Sequence, residues 1–426
     1  MDGQQSLNQI FDKILTFSHI FKDKEKLRHS YSPKILPHRE KEIEELARIL
    51  VSAIKGETPS NVFVYGKTGT GKTAVITHVG RALVKKVGGK IFSGQSAEQH
   101  HLGKTNPVFF IYMNCEMIDT QYRLLSKLAE YMGQSVPLTG WPTDKVYEMF
   151  FSALDNSEKL VIVVLDEIDK LLRKGSDDIL YSLTRINSDL KKAKVSVIGI
   201  SNDLNFIDFL DPRVRSSLGE EEIIFAPYDA LQLIDILNQR VSEAFAEGSL
   251  EEDVIPLCAA FAAQEHGDAR RALDLLRMAA ELAERENSLR VRTKHVKISK
   301  EKIETDRVVE VIKTLPTQSK LVLYSVLFLE KYGMTNITTG ETYNTYRELA
   351  RKSSIDILTQ RRVSDLISEL DMLGILNSAV ISKGRYGRSK EIKLATPHVY
   401  LKKILDDDAR LSRIANYVPP MQHRLG

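Results

Sequence analysis

Eight consecutive residues, Gly66-Lys67-Thr68-Gly69-Thr70-Gly71-Lys72-Thr73, match the pattern G-x-x-x-x-G-K-[ST]. Glycines at these positions let successive backbone N–H groups curl around phosphate oxygens, and a helix that follows adds partial positive charge at its N-terminus. Lys72 then reaches toward the β- and γ-phosphates of ATP or ADP, and the Thr73 hydroxyl is suited to Mg²⁺. A second pair, Asp166-Glu167, directly follows the apolar run Leu160–Leu165. Carboxylates at the C-terminal end of a strand beside a phosphate loop are placed for Mg²⁺ and for an attacking water. Asp166 is assigned to the metal, mostly through water, and Glu167 to polarising the nucleophile. Asp169 reads as a cap or ion-pair residue. Asn202, just after the run Val195–Ile200, stands where an amide would hold the water or the γ-phosphate beside Glu167.

These residues must be positioned by a folded chain, and the composition supplies one. The 426 residues are 42% apolar and 27% charged, near the average for globular proteins. That excludes a disordered or collagen-like chain, and at roughly 100–200 residues per domain it suggests two to four domains. The longest clean apolar run, Leu160–Leu165, is far short of the roughly 20 residues of a membrane span. The N-terminus carries no apolar signal core. Cys115 and Cys258 lie far apart, against a disulfide framework and in keeping with a reducing cytosol. No membrane partner and a cytoplasmic location are expected. Charge is uneven: residues 320–426 hold 17 Lys+Arg against 11 Asp+Glu, net +6, while the remainder is net −3. A basic C-terminal quarter points to a polyanion partner.

Periodicity places the motifs. A helix is expected over Glu40–Ile54, a strand over Asn61–Tyr65 and a helix over Lys72–Val87. Residues Gly88–Pro107 read as a polar, Gly-rich mobile insertion, and His100 and His101 within it have no further ligands at zinc-type spacing. Strands over Val108–Asn114, Leu160–Leu165 and Val195–Ile200 alternate with helices over Tyr122–Met132, from about Pro142 to Leu154, and over Asp177–Leu190. Continuous apolar strands alternating with helices imply an α/β domain whose parallel sheet is covered on both faces. Only helices are expected from Tyr228 to about Ala283, then a charged connector over Val291–Pro316.

The basic quarter reads as helices, two short strands and a further helix. A first short helix covers Tyr346–Ala350 and a second covers Thr359–Leu370. Val363, Leu366, Ile367 and Leu370 form the buried stripe of the second helix, which leaves Gln360, Arg361 and Ser364 off it. Thr359 and Arg362 flank them. In a helix-turn-helix that end of the second helix enters the major groove of double-stranded DNA. Strands over Ile375–Ile381 and Glu391–Leu394 flank a basic, glycine-rich tip with Arg385, Tyr386 and Arg388, the shape of a wing suited to phosphate contacts.

The order of these motifs resembles a known family. The phosphate loop, Asp166-Glu167 and Asn202 are followed by Asp211-Pro212-Arg213-Val214-Arg215 and then by Gly267-Asp268-Ala269-Arg270-Arg271. Leu36-Pro37-His38-Arg39-Glu40 stands before the loop and a winged helix closes the chain. Together they resemble AAA+ ATPases and, among these, the archaeal initiators related to origin recognition complex subunits and their cell-division-cycle loader paralogue, over about residues 15–410. The resemblance implies an AAA+ α/β domain over residues 1–226, a helical lid over 227–300, a linker over 301–317 and a winged helix over 318–426. It implies a slow Mg-dependent ATPase acting as a switch in a DNA replication initiator. Such a protein binds double-stranded DNA at replication origins, helps recruit or load the replicative helicase, and meets paralogous initiators on DNA. Asn202 matches the sensor-one position. Arg270, or its neighbour Arg271, matches the lid sensor. Arg213, or Arg215, matches the finger that reaches a neighbouring subunit. Pro37, His38 and Arg39 fall where the family has its base pocket, with Tyr228 and Arg240 on one face of the first lid helix. The segment Glu116–Gly140 occupies the place of an initiator-specific helix, with Arg123 and Lys127 serving either DNA or core packing. Rival readings are a transcriptional or defence ATPase with a winged-helix DNA reader, and a nucleotide-switched protein-interaction module. Footprinting separates the three.

Overall fold

A computed structural model describes residues 19–29, 31, 33–94, 96–100, 107–118, 120–137, 139–172, 177–204, 206, 210–382, 388–395, 401, 404, 408, 410–414 and 417–418. The chain divides into two compact units, Met1–Val296 and Lys297–Gly426.

The first unit is built on a seven-stranded sheet. Its strands are β1 (Val62–Tyr65), β2 (Gly89–Ser93), β3 (Ser96–His100), β4 (Val108–Asn114), β5 (Lys159–Asp166), β6 (Ala193–Ser201) and β7 (Glu221–Ile224), in the order β3-β2-β4-β5-β6-β1-β7. All pairings are parallel except β2 with β3. On one face lie α1 (Glu40–Ile54) and α2 (Lys72–Val87), which pack Leu46, Leu50, Val75, Ile76 and Val79 against Val62, Val64, Ile162 and Ile198. On the other lie α3 (Gln121–Tyr131), α4 (Thr143–Leu154), a short α5 (Ile168–Leu172) and α6 (Asp177–Arg185). There Leu124, Phe150 and Leu180 meet Val161, Val163 and Val197. Every residue of β5 is buried, so it delivers Asp166 to the sheet's C-terminal edge from the most enclosed strand. Helix α2 lies tight on the sheet because Gly80 has no side chain: a Cβ there would sit 2.3 Å from the Phe110 ring.

Three strands of this sheet were not expected, nor was β8 (Ile337–Thr338) in the second unit. The stretch read as an insertion carries β2 and β3, an edge hairpin with His100 opposite Gly89. Its strands are short, and the outer one is polar because only one side of it is paired. His101 and its neighbours to residue 106 lie outside the described residues. Strand β7 is a four-residue edge strand beside β1. The expected helix over Asp177–Leu190 ends at Arg185 and continues as a single 3₁₀ turn, Ile186–Ser188.

Three helices follow, α7 (Pro212–Leu218) aside: α8 (Ala230–Ala244), α9 (Val254–Gln264) and α10 (Ala269–Arg285). A capping box between Asp229 and Gln232 starts α8, and Asp268 caps α10 through the Arg270 and Arg271 amides. The N-terminal segment fastens to these helices. Ile20 and Leu27 are buried, Lys22 and Asp23 donate their amides to Ala244 O at 2.8 and 3.1 Å, and Ala246 N donates to Ile20 O at 2.9 Å.

The connector over Val291–Pro316 is a helix instead, α11 (Thr293–Thr314), which crosses the division between the units. Its charges fall on every side, so no apolar stripe announces it. The second unit holds α12 (Thr317–Lys331), β8 (Ile337–Thr338), α13 (Thr339–Lys352), α14 (Gln360–Met372), β9 (Leu376–Ser382) and β10 (Arg388–Leu394). The strands pair antiparallel in the order β8-β10-β9. Helix α13 is longer than Tyr346–Ala350 because a Thr338–Glu341 capping box starts it a residue after β8 begins. Val363, Leu366, Ile367 and Leu370 are buried with Tyr324, Phe328 and Tyr346, the stripe that periodicity assigns to α14. The second unit has the layout of a winged helix, and in the sequence it follows an α/β sheet domain and a group of three helices. Among the described residues no helix is long and apolar enough to cross a membrane.

Candidate functional site

The loop between β1 and α2 is held open by glycine. Gly69 and Gly71 have φ of 74° and 92°, a region that side chains rarely adopt. Lys72 is 5% exposed. Its Nζ donates to Gly66 O at 2.6 Å and to Lys67 O at 2.8 Å. Burial pulls its pKa down to about 8, although the Asp166 carboxylate pulls the other way. Thr73 Oγ1 donates to Asp166 Oδ2 at 2.7 Å. Tyr112 Oη donates to the same oxygen at 2.7 Å, and the Glu167 amide donates to Asp166 Oδ1 at 2.9 Å. Burial raises the Tyr112 phenol above its usual range, and the Asp166 charge adds to that. Glu167 sits in left-handed backbone, φ 56°. Burial raises its carboxyl, and the charges of Glu116 and Asp166 raise it further.

These groups enclose a cavity of about 90 Å³ whose wall includes Lys72, Thr73, Asp166, Glu167, Asn202 and Arg270. Six residues chosen from four separate motifs therefore meet in one place. The wall also includes Tyr112 and Asn114, which periodicity reads only as strand residues. Asp169 is buried, and its carboxylate accepts from Ser201 Oγ at 3.3 Å.

A larger cavity of about 460 Å³ adjoins it, lined by Arg28, Tyr31, Leu36 and Pro37, by Gly69, Gly71 and Thr73, and by Tyr228, Arg240 and Arg270 of the lid. Pro37, Tyr228 and Arg240 thus share a wall with the loop. Arg240 is 7% exposed, lies 4.7 Å from the Tyr31 ring centre, and its Nη1 has no hydrogen-bond partner among the described residues. Burial lowers its pKa against the pull of Glu243. Lys67 and Thr68 are exposed at the loop's crown, while Thr70 is buried and donates to Lys67 O at 2.9 Å.

Two residues expected in the base pocket take another place. Arg39 lines neither cavity. Its Nε donates to Thr70 O at 2.8 Å and Tyr228 Oη at 2.9 Å, Nη1 to Glu42 Oε1 at 2.7 Å and Nη2 to Ala226 O at 2.6 Å. It is a brace between the loop and the start of the lid. His38 joins it there, with Nε2 2.8 Å from Asp235 Oδ2.

The lid meets the loop directly. Ala269 N donates to Gly69 O at 3.2 Å, and a Cβ on Gly69 would lie 1.7 Å from Asp268 Oδ1. The two candidate lid sensors part here. Arg270 faces both cavities, whereas Arg271 Nε pairs with Glu265 Oε2 at 2.9 Å. Arg213 and Arg215 are exposed on α7 and line neither cavity. Arg213 Nη2 rests on Asp211 Oδ2 at 2.9 Å and its guanidinium lies 5.1 Å from the Tyr181 ring centre.

Among the described residues, a buried ammonium held by carbonyl oxygens, a buried guanidinium nitrogen without a partner and a hydroxyl against a carboxylate make a donor set that fits a nucleotide polyphosphate and a divalent cation.

In the second unit Thr359 caps α14, accepting the Arg362 amide at 3.4 Å. Gln360, Arg361 and Arg362 are exposed in the first turn and Ser364 is half-buried behind them. Arg362 Nη1 lies 3.4 Å from Glu369 Oε1. Strands β9 and β10 pair from Ser382–Arg388 inward. Arg385 and Tyr386 lie outside the described residues, as does the side chain of Arg388. In the first unit Lys127 pairs with Glu130 at 2.8 Å, and α3 buries Leu124, Leu125, Leu128 and Ala129.

Comparison with known proteins agrees with this layout. Residues 35–198 match the AAA ATPase domain, residues 234–301 the Cdc6 AAA+ ATPase-type lid domain, and residues 310–403 the CDC6 C-terminal winged helix domain. The chain is 58% identical over 417 residues to ORC1-type DNA replication protein 1 of Methanosarcina mazei, covering 97% of each. It is 57% identical over 403 residues to the ORC1-type DNA replication protein of Pyrococcus abyssi, covering 93% of each. The solved structure of the Aeropyrum pernix ORC1 protein in complex with DNA matches at a TM-score of 0.74 and 46% identity, covering 93% of this chain and 99% of that one. With a phosphate loop, a lid and a winged helix matched in that order, the chain belongs to the ORC1-type family of DNA replication proteins, which are AAA+ ATPases.

Proposed function

We propose that this chain is an ATP-regulated initiator that binds double-stranded DNA at replication origins and helps recruit or load the replicative helicase, alongside paralogous initiators. The observation that carries the reading is the meeting of Lys72, Asp166, Glu167, Asn202 and Arg270 around one small cavity, in a chain that closely resembles ORC1-type proteins over almost its whole length. The parts are an ATPase domain over 1–226, a lid over 227–300, a linker over 301–317 and a winged helix over 318–426. It works in the cytoplasm on the nucleoid.

ATP takes the larger cavity with its base between Pro37, Tyr228 and Arg240, and its phosphates run along the loop amides to Lys72. A Mg²⁺ ion held by Thr73 and, mostly through water, by Asp166 would neutralise charge on the β- and γ-oxygens. Glu167 polarises the attacking water and Asn202 orients it. Its raised carboxyl suits proton acceptance, since a carboxylate of higher pKa is the better base. Arg270 senses the γ-phosphate from the lid. Arg213 faces outward, so its charge serves a neighbouring subunit's cavity and the isolated chain turns over slowly, as a switch. On DNA, Gln360, Arg361 and Ser364 read bases from the major groove. Thr359, Arg362 and the wing residues Arg385, Tyr386 and Arg388 hold the backbone.

Three outcomes test this reading. Lys72→Ala should abolish tight ATP binding, whereas Glu167→Gln should bind ATP as the parent does and lose single-turnover hydrolysis. Equilibrium binding and quenched-flow hydrolysis on the two variants check the contrast, and hydrolysis at the parent rate in Glu167→Gln would remove that residue from the mechanism. Affinity for ATP should also depend on pH. The free-site Lys72 is depressed to about 8, and bound phosphate raises it. Affinity is therefore full below about 8 and falls as pH rises above it, by at most about tenfold per unit. A titration series from pH 7 to 9.5 measures this, and a flat profile would contradict the assignment. Finally, genomic footprinting should protect repeats at an origin, and Arg361→Ala should reduce discrimination between that site and a scrambled duplex by roughly 1–3 kcal/mol. Protection confined to promoters, or none, would point to a different reader.

A further inference from the structure

Asp166 is held by three donors, and one of them has no role in the account so far. Thr73 Oγ1 and Tyr112 Oη both donate to Oδ2 at 2.7 Å, and the Glu167 amide donates to Oδ1 at 2.9 Å. Tyr112 stands on β4, in register with Val164 of the neighbouring β5, so its side chain crosses from one strand to the end of the next. It forms part of the wall of both cavities. A phenylalanine would supply the same ring. What the tyrosine adds is the hydroxyl, and that hydroxyl goes to the carboxylate.

The consequence lies in how hydroxyls and carboxylates share their capacity. A carboxylate accepts about four hydrogen bonds, and three are filled here. Thr73 donates its only proton to Asp166, which leaves its lone pairs for a cation. Asp166 must keep its orientation for that arrangement to persist when water and nucleotide enter. With Thr73 alone on Oδ2, the carboxylate could rotate toward the cavity and take the threonine proton with it. A second hydroxyl on the same oxygen, from a different strand, fixes the rotamer independently of the loop.

Resting on the reading that this site takes Mg·ATP, we propose that Tyr112 is a positioning residue that sets the cation affinity of the site by holding Asp166 in its outer-sphere orientation. The hydroxyl acts through Asp166, and any contact of the ring with the nucleotide is one that phenylalanine keeps.

The experiment uses the full chain, a fluorescent non-hydrolysable ATP analogue and MgCl₂. Nucleotide affinity is measured across a Mg²⁺ series and in EDTA, for the parent, Tyr112→Phe, Asp166→Asn and the double variant. In Tyr112→Phe the Mg²⁺ concentration giving half of the affinity enhancement should rise about tenfold, the lower end of what loss of an outer-shell partner costs a metal site. Affinity in EDTA should stay at the parent value. Added to Asp166→Asn, the tyrosine change should produce no further shift, because its route to the cation is gone. Three results would overturn the proposal: an unmoved Mg²⁺ midpoint, a loss of affinity in EDTA, which would make Tyr112 a direct nucleotide contact, or a shift of the same size in both backgrounds, which would make it a packing residue. A parent that binds no nucleotide under either condition would overturn the underlying reading too.

Discussion

The first unit is organised around one costly object, the buried ammonium of Lys72. Its partners are two backbone carbonyls, Gly66 O and Lys67 O, and desolvation lowers its pKa to about 8. A charge removed from water this far is tolerated only where opposite charge or fixed dipoles face it. Asp166 supplies part of that compensation from β5. In the proposed reading bound phosphate supplies the rest, and a site that has already desolvated its cation gains more from an anion than a hydrated lysine would. Much of the surrounding structure serves this position: the fully buried β5, the glycines at 69 and 71, and the tight seat of α2 on the sheet at Gly80.

The same loop is tied to the lid at several independent points. Arg39 joins Thr70 O to Ala226 O and Tyr228 Oη. Ala269 N holds Gly69 O, and Asp268 sits where no side chain on residue 69 would fit. The segment from Ile20 to Leu27 fastens to the lid side of the cavity, and the chain then passes along the larger cavity through Tyr31, Leu36 and Pro37 before reaching Arg39. Loop and lid are thereby joined by direct contacts. In the proposed reading a ligand that changes the loop is felt by α10, which carries Arg270, and the reverse holds by linkage.

The cluster around the small cavity was legible in the sequence because each part has a local signature. The glycine-lysine pattern, a carboxylate pair ending an apolar run, and an amide ending the next strand are all readable within a few residues, and the parallel sheet brings strand ends together. The stripe of α14 was legible for the same reason. What was not legible depends on partners far along the chain. Arg39 reads as a pocket residue until Thr70 and Tyr228 are seen to occupy its guanidinium. Tyr112 reads as an ordinary strand residue, since nothing in Phe-Ile-Tyr-Met-Asn announces that its hydroxyl meets a carboxylate 54 positions away. Strand β3 lacks the apolar alternation that marks a strand, because an edge strand has only one side to bury. Helix α11 lacks a stripe because its charges surround it. The choice between Arg270 and Arg271 needed the Glu265 ion pair, which the helix pattern alone does not reveal.

The claim on which the whole account turns is that lid and loop read the terminal phosphate together, through Arg270 and Lys72. Calorimetric affinities for ATP and ADP in the parent, Arg270→Ala and Arg271→Ala test it most directly. The account predicts that Arg270→Ala abolishes the preference for ATP over ADP while Arg271→Ala keeps it, since the second arginine is turned to Glu265. Equal losses in both variants, or an unchanged preference in Arg270→Ala, would contradict it.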